Sequence, residues 1–236
     1  MSPVVPPGPD GRHGPHLFVA DLERPELTPA DRHHLERVLR LRAGDDLTVG
    51  DGDGRWRMVR FAHPLDVAGP ILQAPPLSPQ LTVAVALTKG DKPELAVQKL
   101  TELGVDEVLL FSADRSVVRW DATKRERNLA RLRQIARAAA EQSRRVRLPR
   151  VDLVDGLAAV VERHPTVVRA DRGGTAPGLG AATVAVGPEG GWSEAERALV
   201  PAAVALGGPV LRAETAAVTA GALLAALRLG IVSSDV

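Results

Sequence analysis

Val184-Ala185-Val186-Gly187-Pro188-Glu189-Gly190-Gly191-Trp192-Ser193 reads as a buried strand that runs into a glycine-rich turn. A helix begins directly after it, because Ser193 and Glu196 have the spacing of a capping box. Strand carboxyl ends of open α/β sheets are where ligands bind, and glycines let the main chain come close to them. The same pattern also serves as a plain strand-to-helix turn. It is not a Walker loop, since no Gly-Lys-Ser/Thr follows.

Outward from this stretch the chain alternates strands and helices. Residues 81–87 are nearly all apolar, as a strand covered on both faces should be. Further strands are expected at 107–111, 166–170, 183–186 and 209–212. Helices are expected from Asp91 to about Leu103, closed by Gly104, over 122–142, from Ser193 toward Val204, and from Thr215 to Leu229, stopped by Gly230. Such alternation predicts a parallel α/β sheet. Before residue 76 the pattern is β-rich, with strands at 16–20, 47–49 and 55–61. Thr28-Pro29-Ala30-Asp31 starts one helix there, carrying Leu35, Val38 and Leu39 on one face and ending near Ala43-Gly44. Asp51-Gly52-Asp53-Gly54 is a hairpin signal and lacks the further ligands of a calcium loop. The proline-rich stretch 74–79 is the best linker, which gives an amino-terminal domain over 1–76 and a second over 77–236. Residues 1–9 read as a flexible lead-in rather than a secretory signal.

The chain of 236 residues is 44% hydrophobic and 25% charged, the balance of an ordinary globular protein. No run of about 18 apolar residues is present, so no membrane span is expected. Cysteine is absent, which removes thiolate nucleophiles, disulfides and Cys-based zinc sites and fits a cytoplasmic location. None of the six histidines has metal-ligand spacing with another, so no metal is expected. Gly178-Leu179-Gly180 precedes a strand, the wrong context for a dinucleotide fingerprint, and there is no Gly-x-Ser-x-Gly elbow of a serine hydrolase.

Net charge is only +1, yet 26 of the 30 basic residues are arginine, and they cluster. In the helix over 122–142, Leu129, Leu132, Ile135, Ala136 and Ala139 share one face. Arg127, Arg131, Arg133 and Arg137 lie opposite, and Arg144, Arg145, Arg147 and Arg150 continue past its end. A second group is Arg32, Arg37, Arg40, Arg42, Arg55, Arg57 and Arg60. Such one-signed clusters suit phosphate contacts and equally suit a solvated face or an arginine-rich genome. With 3% aromatics, stacking cannot be the main mode of RNA binding, which leaves shape and phosphate recognition. Leu211-Arg212-Ala213-Glu214-Thr215 is expected as another strand end entering a helix, where the adjacent charges either pair or face a ligand.

Six ordered segments together resemble the bacterial 16S ribosomal RNA uridine N3-methyltransferases of the SPOUT, or trefoil-knot, class. They are residues 34–40, Lys89-Gly90 with 98–104, Arg115-Ser116, Glu141-Gln142-Ser143, 187–191 and 211–216. The resemblance implies an amino-terminal PUA-like β-barrel and a knotted α/β domain that forms a homodimer and binds S-adenosylmethionine. Gly187, Glu189, Gly190 and Gly191 would form one wall of the cofactor site. Leu206, Leu211, Arg212, Thr215 and Ala216 would form the other, with adenine held mostly by main-chain groups. Three positions depart from the family pattern. Arg144 stands where glycine is usual, Pro209 where arginine is usual, and Ala213 where threonine is usual.

The expected reaction is methyl transfer to N3 of a uridine in 16S RNA or the small ribosomal subunit. Arg212 would stabilise the uracil anion or fix a phosphate, oriented by Glu214. Arg37, Arg40, Lys89, Lys99, Arg115, Arg144 and Arg145 are the candidate RNA contacts. The alternatives are ribose 2′-oxygen methylation by a related knot and an RNA-binding assembly factor without catalysis.

Overall fold

The computed structural model describes residues 8–233, so most of the expected lead-in lies outside the described residues. Contacts divide the described residues into two compact units, each built from two segments: residues 8–77 are joined by 138–148, and 78–137 by 149–233.

In the first unit, β1 (His16–Phe18), β2 (Asp46–Gly50), β3 (Arg55–Arg60), β4 (Asp66–Val67) and β5 (Leu72–Gln73) make one sheet. β1 runs parallel to β2, and β3 pairs antiparallel with β2, β4 and β5. The β2–β3 turn is the expected one. Asp51 accepts from the amides of Asp53 and Arg55 at 2.8 and 3.1 Å and pairs with the Arg55 guanidinium at 2.6 Å. Leu17, Leu35, Leu47, Val49, Val59 and Phe61 form the core. Residues 138–148 complete the unit from far along the sequence. Val146 is buried with Trp56 and Ala74, and main-chain bonds join Gly54 to Val146 and Leu148 to Gly52.

The helix expected to reach residue 43 is shorter. Helix α1 (Pro29–His33), capped by Thr28, passes into a π-helical stretch over 34–38, and Arg40 then turns to φ +58°. The wider π turn shifts the face register. Leu35 is buried, but Val38 and Leu39 are 61% and 45% exposed, contrary to expectation.

Arg144 also adopts a left-handed conformation, φ +56°. It therefore keeps the backbone shape for which glycine is usual, and its guanidinium donates to the Gly14 carbonyl at 3.1 and 3.3 Å. Beside it, His16 is buried, sharing a 2.9 Å hydrogen bond with Thr48, and its Nε2 has no partner. Burial first, and the Arg144 charge second, lower the imidazole pKa from 6.5 to about 4. A folded pKa below the unfolded one means stability is intact above pH 6.5 and is lost as pH falls toward 4. The loss across that window is about 3 kcal/mol. Urea unfolding followed through Trp56 should show it in the parent and not in His16→Gln; parallel pH profiles would rule this out.

The second unit is an all-parallel sheet in the order β11-β9-β10-β6-β7-β8. Its strands are β6 (Thr82–Ala86), β7 (Glu107–Phe111), β8 (Arg150–Val154), β9 (Val168–Thr175), β10 (Thr183–Val186) and β11 (Ala203–Val204). Side chains alternate between two cores, as strand geometry dictates. Val83, Val85, Val108, Leu110, Val184 and Val186 face one core with α2 (Lys92–Glu102), α3 (Ala122–Gln142) and α6 (Ala213–Arg228). Ala84, Ala86, Leu109, Phe111 and Ala185 face the other with α4 (Gly156–Arg163) and Trp192.

Three expectations are corrected here. Residues 209–212 are a loop rather than a strand, because the edge strand β11 precedes them and pairs with β9. The helix after Ser193, α5 (Glu194–Leu199), stops at Val200 instead of Val204. β8 and α4 were not anticipated at all. Among the described residues no helix is long and apolar enough to cross a membrane, and no group of acids, histidines or cysteines could hold a metal.

Candidate active site

Beyond the carboxyl end of β10 and beside the middle of β9, three chain segments and Arg197 of α5 surround a cavity of about 250 Å³. The segments contribute Ala170, Asp171 and Arg172, then 186–189 with Gly191 and Trp192, then residues from Leu206 to Ala216. The 187–191 turn is shaped by close packing. A Cβ on Gly187 would lie 2.9 Å from the Trp192 ring, which stacks on Phe111 and donates to the Ala170 carbonyl at 2.9 Å. Gly191 has φ +70°, a conformation that favours glycine. The capping box forms as expected: Ser193 accepts from the Glu196 amide at 3.1 Å, and Glu196 accepts from the Ser193 amide at 2.9 Å.

Of the residues expected to hold the cofactor, Gly187, Glu189, Gly191, Leu206, Leu211 and Ala216 line the cavity. Gly190, Arg212 and Thr215 do not. Gly190 faces Arg115 instead, whose guanidinium donates to its carbonyl at 3.2 Å. Two positions that depart from the family pattern, Pro209 and Ala213, line the cavity with apolar groups. A guanidinium still reaches that loop, because Arg172 donates to the Gly208 carbonyl at 3.4 Å. The third wall, 170–172, was missed by sequence reasoning, as was Arg197, which pairs with Asp171.

Lys92, in the first turn of α2, was also missed. Its ammonium lies 2.5 Å from Glu189 and 3.8 Å from Glu214, so one cation ties the two strand-end segments together. The bond to Glu189 raises the lysine pKa, and the same bond, ahead of other causes, holds the Glu189 carboxyl below its usual range. This corrects the expected Arg212–Glu214 partnership. Glu214 turns to Lys92, with Oε2 buried and lacking a hydrogen-bond donor, while Arg212 is exposed and forms no ion pair among the described residues. Arg212 is the N-cap of α6 and its side chain makes no cap bond. The first amides of a 16-residue helix, a free guanidinium and two cavity-lining neighbours, Leu211 and Ala213, are therefore adjacent. Uncapped helix N-termini attract negative charge.

The arginine clusters separate into engaged and free members. Arg57 is buried and donates to Gly69 and Leu22, Arg147 holds the Ala74 carbonyl, and Arg60 pairs with Asp46 and Asp66. Arg131 pairs with Glu94, and Lys99 with Glu102. Arg37, Arg40 and Arg42 are exposed and form no ion pair among the described residues. Arg145 is partly buried in the 138–148 segment, and Lys89 is exposed just after β6.

This fold and cavity are those of RNA methyltransferases. A family model described as an RNA methyltransferase domain matches residues 75–225, and one described as an RNA methyltransferase PUA domain matches 27–64. The ribosomal RNA small subunit methyltransferase E of Mycobacterium bovis is 36% identical over 210 residues, covering 79% of this chain and 80% of the relative. That of Bacillus subtilis is 30% identical, covering 80% of this chain and 85% of the relative. The Neisseria gonorrhoeae enzyme of the same name, solved bound to S-adenosyl methionine, is 28% identical with a TM-score of 0.71, covering 91% of this chain and 98% of that one. A methyltransferase from Legionella pneumophila in complex with its cofactor SAM has a TM-score of 0.76 at 25% identity, covering 89% and 96%. The chain belongs to the ribosomal RNA small subunit methyltransferase E family.

Proposed function

We propose that the chain transfers a methyl group from S-adenosylmethionine to N3 of a uridine in 16S ribosomal RNA. The observation that carries this reading is the unpaired Arg212 at the uncapped start of α6, beside the cavity. The residues present fit the cofactor. Val186, Leu206, Leu211 and Ala216 offer apolar surface for a heterocycle, Gly187 and Gly191 bring main-chain groups close, and the orphaned Glu214 Oε2 suits a cationic or donor group. When bound, the cofactor supplies an electrophilic methyl on a sulfonium. The rest is alignment and electrostatics by this chain. Uridine N3 must lose its proton, and the negative charge that develops is met by the Arg212 guanidinium and the amides of the first turn of α6. Lys92 keeps Glu189 and Glu214 drawn together, so both loops stay closed around the ligand.

RNA is held by the free cations Arg37, Arg40 and Arg42 on the amino-terminal unit and by Lys89 on the other. Arg115, Arg144 and Lys99 are engaged within the protein, with Gly190, Gly14 and Glu102, and Arg145 is partly buried, so these four rank behind the free cations as RNA contacts. The convergence of 170–172, 186–192 and 206–213 on one cavity supports the threading expected of a trefoil knot. A second copy of the chain docks on α6, which has no charged residue between Glu214 and Arg228 and leaves Val218, Thr219, Ala222 and Leu223 partly exposed. The protein works in the cytoplasm, where its ribosomal substrate is assembled.

Calorimetry should show binding of S-adenosylmethionine, and RNA containing N3-blocked uridine should accept no methyl. No cofactor binding would favour an assembly factor without catalysis, and methylation of the blocked RNA would favour ribose chemistry.

A further inference from the structure

A second cavity, of about 240 Å³, opens beyond the carboxyl end of β6 between α2 and α3. Thr88, Lys89, Glu94, Trp120, Asn128 and Arg131 line it. Trp120 is half-buried: its ring packs against the α2–α3–α6 core and also lines the cavity. Thr88 is only 6% exposed, and its hydroxyl has no hydrogen-bond partner among the described residues. The Asn128 amide and the Lys89 ammonium are likewise without partners there. Glu94 holds Arg131 at 2.9 Å at the margin.

Donors and acceptors that face the cavity around an aromatic ring and are not engaged with the protein suit a flat, polar ligand better than an apolar peptide or lipid. The exposed Lys89 at the margin, which forms no ion pair among the described residues, suits a phosphate. Lys89 also lies within electrostatic reach of Glu189, whose carboxyl is held low chiefly by Lys92 and to a lesser degree by Lys89. The cavity thus neighbours the proposed methyl-transfer site without being part of it.

We propose that this pocket holds the base of an unpaired RNA nucleotide next to the one being methylated. Trp120 stacks on the base, Thr88 and Asn128 read its edge, and Lys89 contacts a flanking phosphate, while the Glu94–Arg131 pair closes the margin. Stacking on a single well-placed tryptophan is compatible with a chain poor in aromatics. The inference rests on the reading of the chain as an RNA methyltransferase and adds a site that positions the substrate.

Trp56 and Trp192 are buried, so fluorescence quenching by added RNA reports mainly on Trp120. The full chain, without cofactor, is titrated with a short oligouridylate, with the same RNA as a duplex, and with an abasic version. The single strand should quench, whereas the duplex and the abasic chain should not. Trp120→Leu should weaken oligouridylate binding roughly tenfold or more, measured by anisotropy of a labelled strand. Trp120→Phe should retain most of the affinity, and Asn128→Ala, on a half-exposed helix position, should lower it with the fold intact. Affinity for S-adenosylmethionine should be unchanged in all three. Undiminished RNA affinity in both Trp120→Leu and Asn128→Ala, or equal quenching by abasic RNA, would overturn the proposal. Because neither cofactor nor turnover enters this assay, its failure alongside intact N3 methylation removes only the pocket. Intact quenching without N3 methylation removes only the proposed reaction.

Discussion

Arg212→Ala should lower methyl-transfer turnover by about 100- to 1000-fold, the range seen when one preorganised donor to a developing anion is removed. Binding of S-adenosylmethionine should change little, because Arg212 lies outside the cavity lining while Leu211 and Ala213 on either side of it are part of that lining. The size of the effect follows from the absence of a partner. A guanidinium already paired with a carboxylate would have its field largely cancelled, but Glu214 is turned to Lys92 and leaves Arg212 unpaired. Arg212→Lys should recover part of the rate, since charge survives and the planar fork does not. Stopped-flow single turnover, with calorimetry for the cofactor, separates the two effects. Normal turnover in Arg212→Ala would remove the residue from the mechanism.

Lys92→Met should weaken S-adenosylmethionine binding by roughly tenfold or more, because two carboxylates then face each other with no cation between them. Glu189 is half-exposed and loses little to desolvation, but Glu214 is covered, its Oε2 is buried without a hydrogen-bond donor, and Lys92 is the cation that faces it. Lys92→Arg should restore most of the affinity. The pH dependence has a definite sign. Glu189 has its pKa lowered in the folded protein, so its contribution is present above the ordinary value of 4.5 and is lost only as pH falls through the depressed value. Lys92 has its pKa raised, so its charge persists through neutral and mildly alkaline pH. Cofactor affinity in the parent should therefore be flat around neutrality and decline in acid, and in Lys92→Met that decline should begin at higher pH. Calorimetric titrations of both proteins across this range test it, and identical cofactor affinities at neutral pH would exclude a linking role for Lys92.

Much of the second unit was legible because its strands bury both faces. β6, β7 and β10 are continuous apolar runs, and α3 and α6 carry helical periodicity that ends at Gln142 and at Gly230. The capping box at Ser193 was equally clear, since it is a local arrangement of two side chains. β8 was not, because its Arg150-Val151-Asp152-Leu153-Val154 mixes charge into a sheet-edge strand with only Val151 buried. Residues 138–148 join the amino-terminal unit through main-chain bonds, the buried Val146 and the Arg144 and Arg147 side chains, all to partners far back in the chain that no local periodicity reveals.

For the site, the glycine turn and the 211–216 segment were found from sequence, but their connection was not. Lys92 is one lysine at a helix start, and only the fold brings it within 2.5 Å of Glu189, 97 residues away. The three departures from the family pattern also acquire physical meaning. Arg144 keeps a left-handed backbone and uses its side chain to hold Gly14, so the loop survives without glycine. Pro209 and Ala213 make one wall of the cavity apolar, while Arg172 approaches the same loop from β9.

Mass spectrometry of nucleosides from 16S RNA, taken from otherwise identical cells with and without this protein, tests the central claim most directly. One 3-methyluridine should be present with the protein, absent without it, and restored by the purified chain with S-adenosylmethionine. An unchanged nucleoside inventory, or a methyl group found on ribose instead of N3, would contradict the account.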